Sequence, residues 1–331
     1  MDVGAITLAE EFCKSAENTD LILASDMLNL PLFLSLTRDV TKGLKSAVYF
    51  HENQITYPFS PKNKEREIVH RTYGMTNFNS ALCADAVFFN SKFHMENFIE
   101  VLPEFLRDVP DFDSQNSIEK IKTKSSVLPV GLELEKLEQE KQRGVELKAK
   151  YPEPIILWNH RWDYDKNPEQ FFRVLKKLKD ERRKFKLIVL GQNSRVETQV
   201  FDKAKLDFED ELIHWGYTDS YEEYVSYLWA SDILPVTSNQ EFFGISAAEA
   251  IYCETAPILP NRLAYPELIP DSLKKTFLYD SETELLEFIA SFKSSSYAEG
   301  LKKLSSHIAN FSWEKLAPIY DDAFEALAKA S

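Results

Sequence analysis

The 331-residue sequence has no apolar run approaching the roughly 18 residues that a membrane-spanning helix requires. Its first twenty residues carry Glu10 and Glu11 where a secretory leader would be apolar. These absences make the cytoplasm the expected compartment of a globular chain. Cysteine is scarce. Cys13, Cys83 and Cys253 are odd in number and far apart, which fits neither a disulfide framework nor a zinc ligand set, so all three read as small core residues. Positive charge is in deficit as well. A net charge of −14 excludes a whole-protein field that attracts nucleic acid, while leaving room for a local basic patch. Internal repeats and low-complexity segments are missing too. What is present is 44% apolar and 13% aromatic, enough for real cores in two domains of ordinary size.

Short apolar runs punctuate the chain: LILA at 21–24, AVYF at 47–50, AVFF at 86–89, PIILW at 154–158, LIVL at 187–190, IHWGY at 213–217 and DILPV at 232–236. Each reads as a buried strand, and helical patterns lie between them, so both halves read as doubly wound parallel α/β. The start of the chain reads as an amphipathic helix with Ile6, Ala9 and Cys13 on one side. Ser25 or Asp26 is expected to cap a short helix ending near Pro31, and Asn90-Ser91 to cap one starting at Lys92. Tyr73 to Cys83 reads as a helix. From Glu100 to Lys124, around Pro103 and Pro110, loops are expected. Residues 169–186 read as a helix with Phe171, Leu175 and Leu178 inward and Arg173, Lys176, Lys177, Lys179, Arg182, Arg183 and Lys184 on a wet outer face. The charged stretch Glu133 to Lys150 reads as a partly helical linker. Domains are expected at 1–133 and 134–331.

The chain is organised around Thr237 to Cys253, TSNQEFFGISAAEAIYC. A strand, a turn ending in Gly244 and a helix from Ile245 make an anion site, because the first amides of a helix are unpaired and lie at the positive end of its dipole. Glu241 on the loop and Glu249 on the helix can both face the crevice beyond the strand's carboxyl end. His51 and Glu52 stand at another strand's carboxyl end, in HENQITYP. Arg161 and Lys166, five apart across a turn in NHRWDYDKNPEQFF, can aim two cations at one diphosphate. Lys62, Lys64, Arg66, His70 and Arg71 form either a solvated loop or a cationic lip for an anionic acceptor. Asp111-Phe112-Asp113 has a D-x-D spacing, but it follows a proline in a polar loop instead of closing an apolar strand, so metal ligation is not expected.

EFFGISAAE resembles the E-x7-E element of retaining glycosyltransferases with the two-domain GT-B fold, and RWDYDK resembles their R-x4-K pair. PNRLAYPE, FHENQITYP and RWDYDKNPEQF together narrow the resemblance to the tRNA-queuosine mannosyltransferase family, from about Leu21 to Tyr320. The resemblance implies transfer of a hexose from a nucleotide sugar, GDP-mannose first, to queuosine in tRNA, with anomeric configuration retained and no metal or other cofactor. It implies that Glu241 and the backbone of Phe242, Phe243, Gly244 and Ile245 hold the donor sugar and diphosphate, with Glu249 on the ribose. Arg161 and Lys166 would bind the diphosphate, and Gly191 and Tyr217 would lie on turns near the nucleotide. His51 would face the sugar, and Glu52, Asn53, Lys62, Lys64, Arg66 and Arg71 would serve the acceptor. A lipid or polysaccharide acceptor, or a binding protein without turnover, are the rival readings. Two departures stand out. Glu254 occupies a position where the family has a left-handed glycine, which would add roughly 1 kcal/mol of strain. The start of the chain resembles the family only after its first strands and glycine-rich turn, so the first sheet is expected either to have LILA separated from AVYF in an irregular order or to expose an unpaired edge.

Overall fold

The computed structural model describes residues 2–15, 19–58, 66–107, 109, 114–191 and 199–330. Contacts divide the chain into two units, one of Met1–Val130 with Leu316–Ser331 and one of Gly131–Lys315. The end of the chain therefore does not stay with the second domain, as a boundary running to 331 had it. Tyr320 explains the return: its hydroxyl meets Tyr49 Oη at 3.0 Å and donates to the carbonyl of Pro129 at 2.8 Å.

In the first unit, β1 (Leu21–Ser25), β2 (Lys45–Phe50), β3 (Ala86–Phe89) and β4 (Ser125–Val127) form a parallel sheet in that order. Side-chain alternation sorts its faces. Val48 and Phe50 enter a core with Phe89, Phe98 and Ala5, whereas Ala47, Tyr49 and Phe88 meet Tyr320, Ala323 and Phe324 from the chain's last helix, Trp313–Ala328. β1 pairs directly with β2, Leu21 opposite Lys45 through Ser25 opposite Tyr49. The expected separation of these strands is thus overturned, because the helices between them complete a parallel crossover to the adjacent position. β1 has one strand neighbour among the described residues, and Leu23 on it is 48% exposed.

Other local expectations shift for identifiable reasons. The first helix, Asp2–Ser15, buries Ala5 and Ala9 and leaves Ile6 and Cys13 outside. Cys83 is also exposed, so Cys253 alone is a core cysteine. Pro31 opens the helix Leu30–Leu36 behind the capping side chain of Asn29, where a missing N–H costs nothing. The stretch expected to be loops holds two helices, Lys92–Phe105 and Ser114–Thr123, the first running through Pro103 because Phe98 and Leu102 anchor it in the core.

In the second unit, β5 (Ile155–Trp158), β6 (Lys186–Leu190), β7 (Leu212–Gly216), β8 (Ile233–Pro235), β9 (Ala256–Pro260) and β10 (Leu278–Tyr279) form a six-stranded parallel sheet ordered β10-β9-β8-β5-β6-β7. β5 and β6 are buried on both faces. Ile155, Leu157, Ile188 and Leu190 point into one core and Ile156, Trp158, Leu187 and Val189 into the other. The sheet reverses its winding between β5 and β8, and crevices at such a reversal are where open α/β sheets bind ligands. The helices Leu134–Gln139 and Lys141–Lys148 are not a loose linker. Trp229 Nε1 donates to the Leu137 carbonyl at 2.7 Å, and a Cβ on Gly144 would lie 2.3 Å from Trp229 Cβ.

Candidate active site

The second unit gathers its candidate residues at and just beyond the carboxyl ends of β5, β6, β7 and β8. After β8, the chain turns through Glu241 to Gly244, which takes φ +95°, and the helix Ile245–Tyr252 begins. The Glu241 carboxylate folds back onto this turn, accepting from the N–H of Phe242 at 3.1 Å and of Phe243 at 3.4 Å. The rings of Phe242 and Phe243 are buried, so those residues offer a ligand only their backbone. Ile245 is exposed at the helix start.

Lys166 ends the 3₁₀ turn Tyr164–Lys166 and is almost fully buried. Its Nζ donates to the Gln240 carbonyl at 2.9 Å and lies 3.0 Å from Asp165 Oδ2 and 3.4 Å from Glu241 Oε2. Burial opposes its charge, but Glu241 and Asp165 outweigh that penalty and hold the ammonium's pKa above its ordinary value. Arg161, at the end of β5, is exposed. The structure therefore gives the two cations different settings, one locked into a carboxylate cage and one on the surface.

Arg161, Gly191 and Tyr217 line one cavity of about 480 Å³, together with Asn159, His160 and Tyr224. Gly191 takes φ +109°, and a Cβ there would sit 2.3 Å from the His160 carbonyl oxygen, so only glycine permits this close approach. Tyr217 is 62% exposed beside Gly216. The helix start joins the cavity wall through Ser246: its hydroxyl meets His160 Nδ1 at 3.0 Å and its carbonyl accepts from Asn159 Nδ2 at 2.7 Å. Burial, with the Lys166 cation adding to it, pushes the His160 pKa down to about 3, so this imidazole is neutral. Asn159 Oδ1 and His160 Nε2 are buried without a hydrogen-bond partner among the described residues. Glu249 accepts from the Tyr224 hydroxyl at 2.7 Å, and burial raises its pKa despite that bond.

His160, Asn159, Asp165, Ser246 and Tyr224 were not among the residues expected from sequence. The first three stood inside NHRWDYDK, next to the cations that were singled out. Nothing local marked Tyr224, whose role depends on meeting Glu249 across the fold.

The first unit places His51 directly after β2, with its side chain 63% exposed. Glu52 accepts from Gln54 Nε2 at 2.9 Å. Asn53 does not suit acceptor contact: it is wholly buried, and its Oδ1 takes the N–H groups of Ile55 and Thr56, which makes it the organiser of the HENQIT turn. Arg71 is exposed on the helix Arg66–Cys83. Lys62, Lys64, the side chain of Arg66 and Asp111 to Asp113 lie outside the described residues. The basic face of the helix Pro168–Asp180 is largely paired, Arg173 and Lys177 with Glu282, Lys176 with Asp180 and Lys179 with Glu211.

A profile described as glycosyl transferases group 1 matches residues 138–307, and one described as tRNA-queuosine alpha-mannosyltransferase N-terminal matches residues 1–132. The tRNA-queuosine alpha-mannosyltransferase of Drosophila melanogaster is 33% identical over 278 residues, covering 82% of this chain and 70% of that protein. The chain belongs to the tRNA-queuosine alpha-mannosyltransferase family. It is a glycosyltransferase with the GT-B type of α/β fold. A Thermosynechococcus elongatus sucrose-phosphate synthase superposes with a TM-score of 0.73 at 18% identity, covering 100% of this chain and 79% of the other. An Anabaena protein solved with UDP and glucose gives 0.65 at 15% identity, with coverages of 98% and 82%. These likenesses carry the fold.

Proposed function

We propose that the chain transfers mannose from GDP-mannose to queuosine in tRNA with retention of anomeric configuration. The observation that carries this reading is the Lys166–Glu241 pair set against the start of the helix Ile245–Tyr252, in a chain of this family. A helix start attracts the anionic part of a ligand, and a buried lysine adds a full charge to it.

Departure of the nucleoside diphosphate is the difficult step. Charge develops on its phosphate oxygens, and fixed donors aimed there lower the barrier without reorganising. The amides at the helix start, the Lys166 ammonium and the Arg161 guanidinium are suited to that work. Glu241 is the ligand-exchange partner in this scheme: its carboxylate occupies the Phe242 and Phe243 amides until hydroxyls or phosphate oxygens take them. Glu249 and the cavity at Gly191 and Tyr217 would receive the ribose and base. In the other unit, His51 would serve the transfer reaction as the family's loop histidine does, and exposed basic residues including Arg71 would touch tRNA phosphates.

The test is GDP release from GDP-mannose by the purified chain, with and without queuosine-containing tRNA. Release that requires this tRNA supports the reading. Release stimulated only by a lipid or glycan acceptor would move the substrate, and donor binding without release under any acceptor would leave a binding protein.

A further inference from the structure

We propose that Asp26 is a positioning residue for His51, holding its imidazole in the Nδ1–H tautomer so that Nε2 is presented to the reacting groups. The proposal rests on the reading above that His51 belongs to the transfer site.

Asp26 follows β1 and is 2% exposed. Its Oδ1 accepts from the His51 backbone N–H at 3.1 Å and stands 3.5 Å from His51 Nδ1. Its Oδ2 is buried with no hydrogen-bond partner among the described residues. A carboxylate held that way is costly unless the protein uses it. The surroundings fix both residues. Asp26 N–H donates to the Tyr49 carbonyl at 3.1 Å, and the Asp26 carbonyl accepts from Asn77 Nδ2 at 2.8 Å. The His51 carbonyl accepts from Asn90 Nδ2 at 2.8 Å, and the Tyr49 ring centroid lies 4.6 Å from the imidazole's. Hydrogen bonds from neighbouring strand ends and one helix thus fix the backbone of both residues.

A carboxylate beside one ring nitrogen makes that nitrogen the proton donor and the opposite one an acceptor. The 3.5 Å separation is wider than a formed hydrogen bond, as contacts of catalytic groups often are before the reacting complex tightens them. With Nδ1 turned to Asp26, Nε2 lies on the far side of a largely exposed ring, able to accept from a sugar or acceptor hydroxyl. A purely structural Asp26 would cap the His51 N–H and leave the ring indifferent to it.

Long-range proton–nitrogen NMR of the ¹⁵N-labelled full chain at alkaline pH, with His51 assigned through His51→Gln, reads the tautomer. The native chain should show Nδ1–H, and Asp26→Asn should invert it. In the same variant kcat for transfer should fall on the order of ten- to a hundredfold, as for other partners that orient a functional histidine, with both KM values held. Added to His51→Gln, Asp26→Asn should change kcat no further. A native Nε2–H tautomer overturns the proposal, as does an Asp26→Asn variant with native kcat. If that variant does not fold, the native spectrum decides alone. If the native chain transfers no sugar, the functional reading fails separately and the tautomer still decides whether Asp26 sets the ring.

Discussion

Replacing Lys166 by alanine should produce two losses that can be measured apart. Lys166 lies against Asp165, whose carboxylate is about 1% exposed, and against Glu241. Removing the ammonium strands a buried charge, which costs roughly 3–5 kcal/mol of stability when one partner of such a pair is deleted. It also removes one charge-assisted contact to a diphosphate, about 1.5–3 kcal/mol, or about ten- to a hundred-and-fifty-fold in Kd. The double variant Asp165→Asn/Lys166→Ala removes both charges, so it should recover much of the stability and none of the affinity. Urea unfolding reads the first quantity and calorimetric titration with GDP or GDP-mannose the second. Native donor affinity in the folded double variant would refute the assignment of Lys166 to the diphosphate. The raised pKa of Lys166 also makes its contribution depend on pH. Its contribution to stability should be complete below the unfolded lysine's value of about 10.4 and should fade as pH climbs through the higher folded value.

Glu254 takes φ +61°, the left-handed conformation expected of a glycine, with Thr255 N–H bonded back to the Ala250 carbonyl at 3.0 Å. Glu254→Gly should therefore stabilise the chain by roughly 0.5–1 kcal/mol, and a lower midpoint in urea would count against strain there. His94 and His160 are each pushed down to about 3, mainly by burial. Below the unfolded value near 6.5 the unfolded chain binds more protons, so each should cost about 1.4 kcal/mol of stability per pH unit lost between 6.5 and 3, and His160→Gln should flatten that slope. Tyr320→Phe removes the hydroxyl shared with Tyr49 and the Pro129 carbonyl and should cost about 1–2 kcal/mol, read by thermal unfolding. Charge reversal at Lys62, Lys64 and Arg71 should weaken tRNA binding and flatten its salt dependence while leaving GDP binding intact; the same result from Arg182, Arg183 and Lys184 would put the RNA on the other unit.

How much of this was legible depended on whether the signal was local. DILPV followed by EFFGISAAEAIYC gave β8, the turn and the helix from Ile245, because a buried run, a glycine and helical spacing lie within twenty residues. β9 and β10 leave no strand signal in the sequence, for different reasons. Pro257 and Pro260 disguise the first as a loop, since proline gives up a ladder donor, and the second is two residues long and has no periodicity to detect. The helix through Pro103 contains a local breaker that points to a loop, and only the tertiary anchors Phe98 and Leu102 overrule it. In the site, charged residues in short motifs could be named from the sequence. Tyr224 and Ser246, and the role proposed for Asp26 in the other unit, could not, because each depends on a partner reached only through the fold. Asn53 shows the reverse case: a polar residue in the motif is buried, with its Oδ1 shaping the turn.

The central claim is tested most directly by nucleoside mass spectrometry of queuosine-containing tRNA incubated with the full chain and GDP-mannose. The account predicts one hexose added to queuosine, in the α configuration of the donor, and nothing added to tRNA that lacks queuosine. Unmodified queuosine after incubation with chain that demonstrably binds GDP-mannose would contradict it.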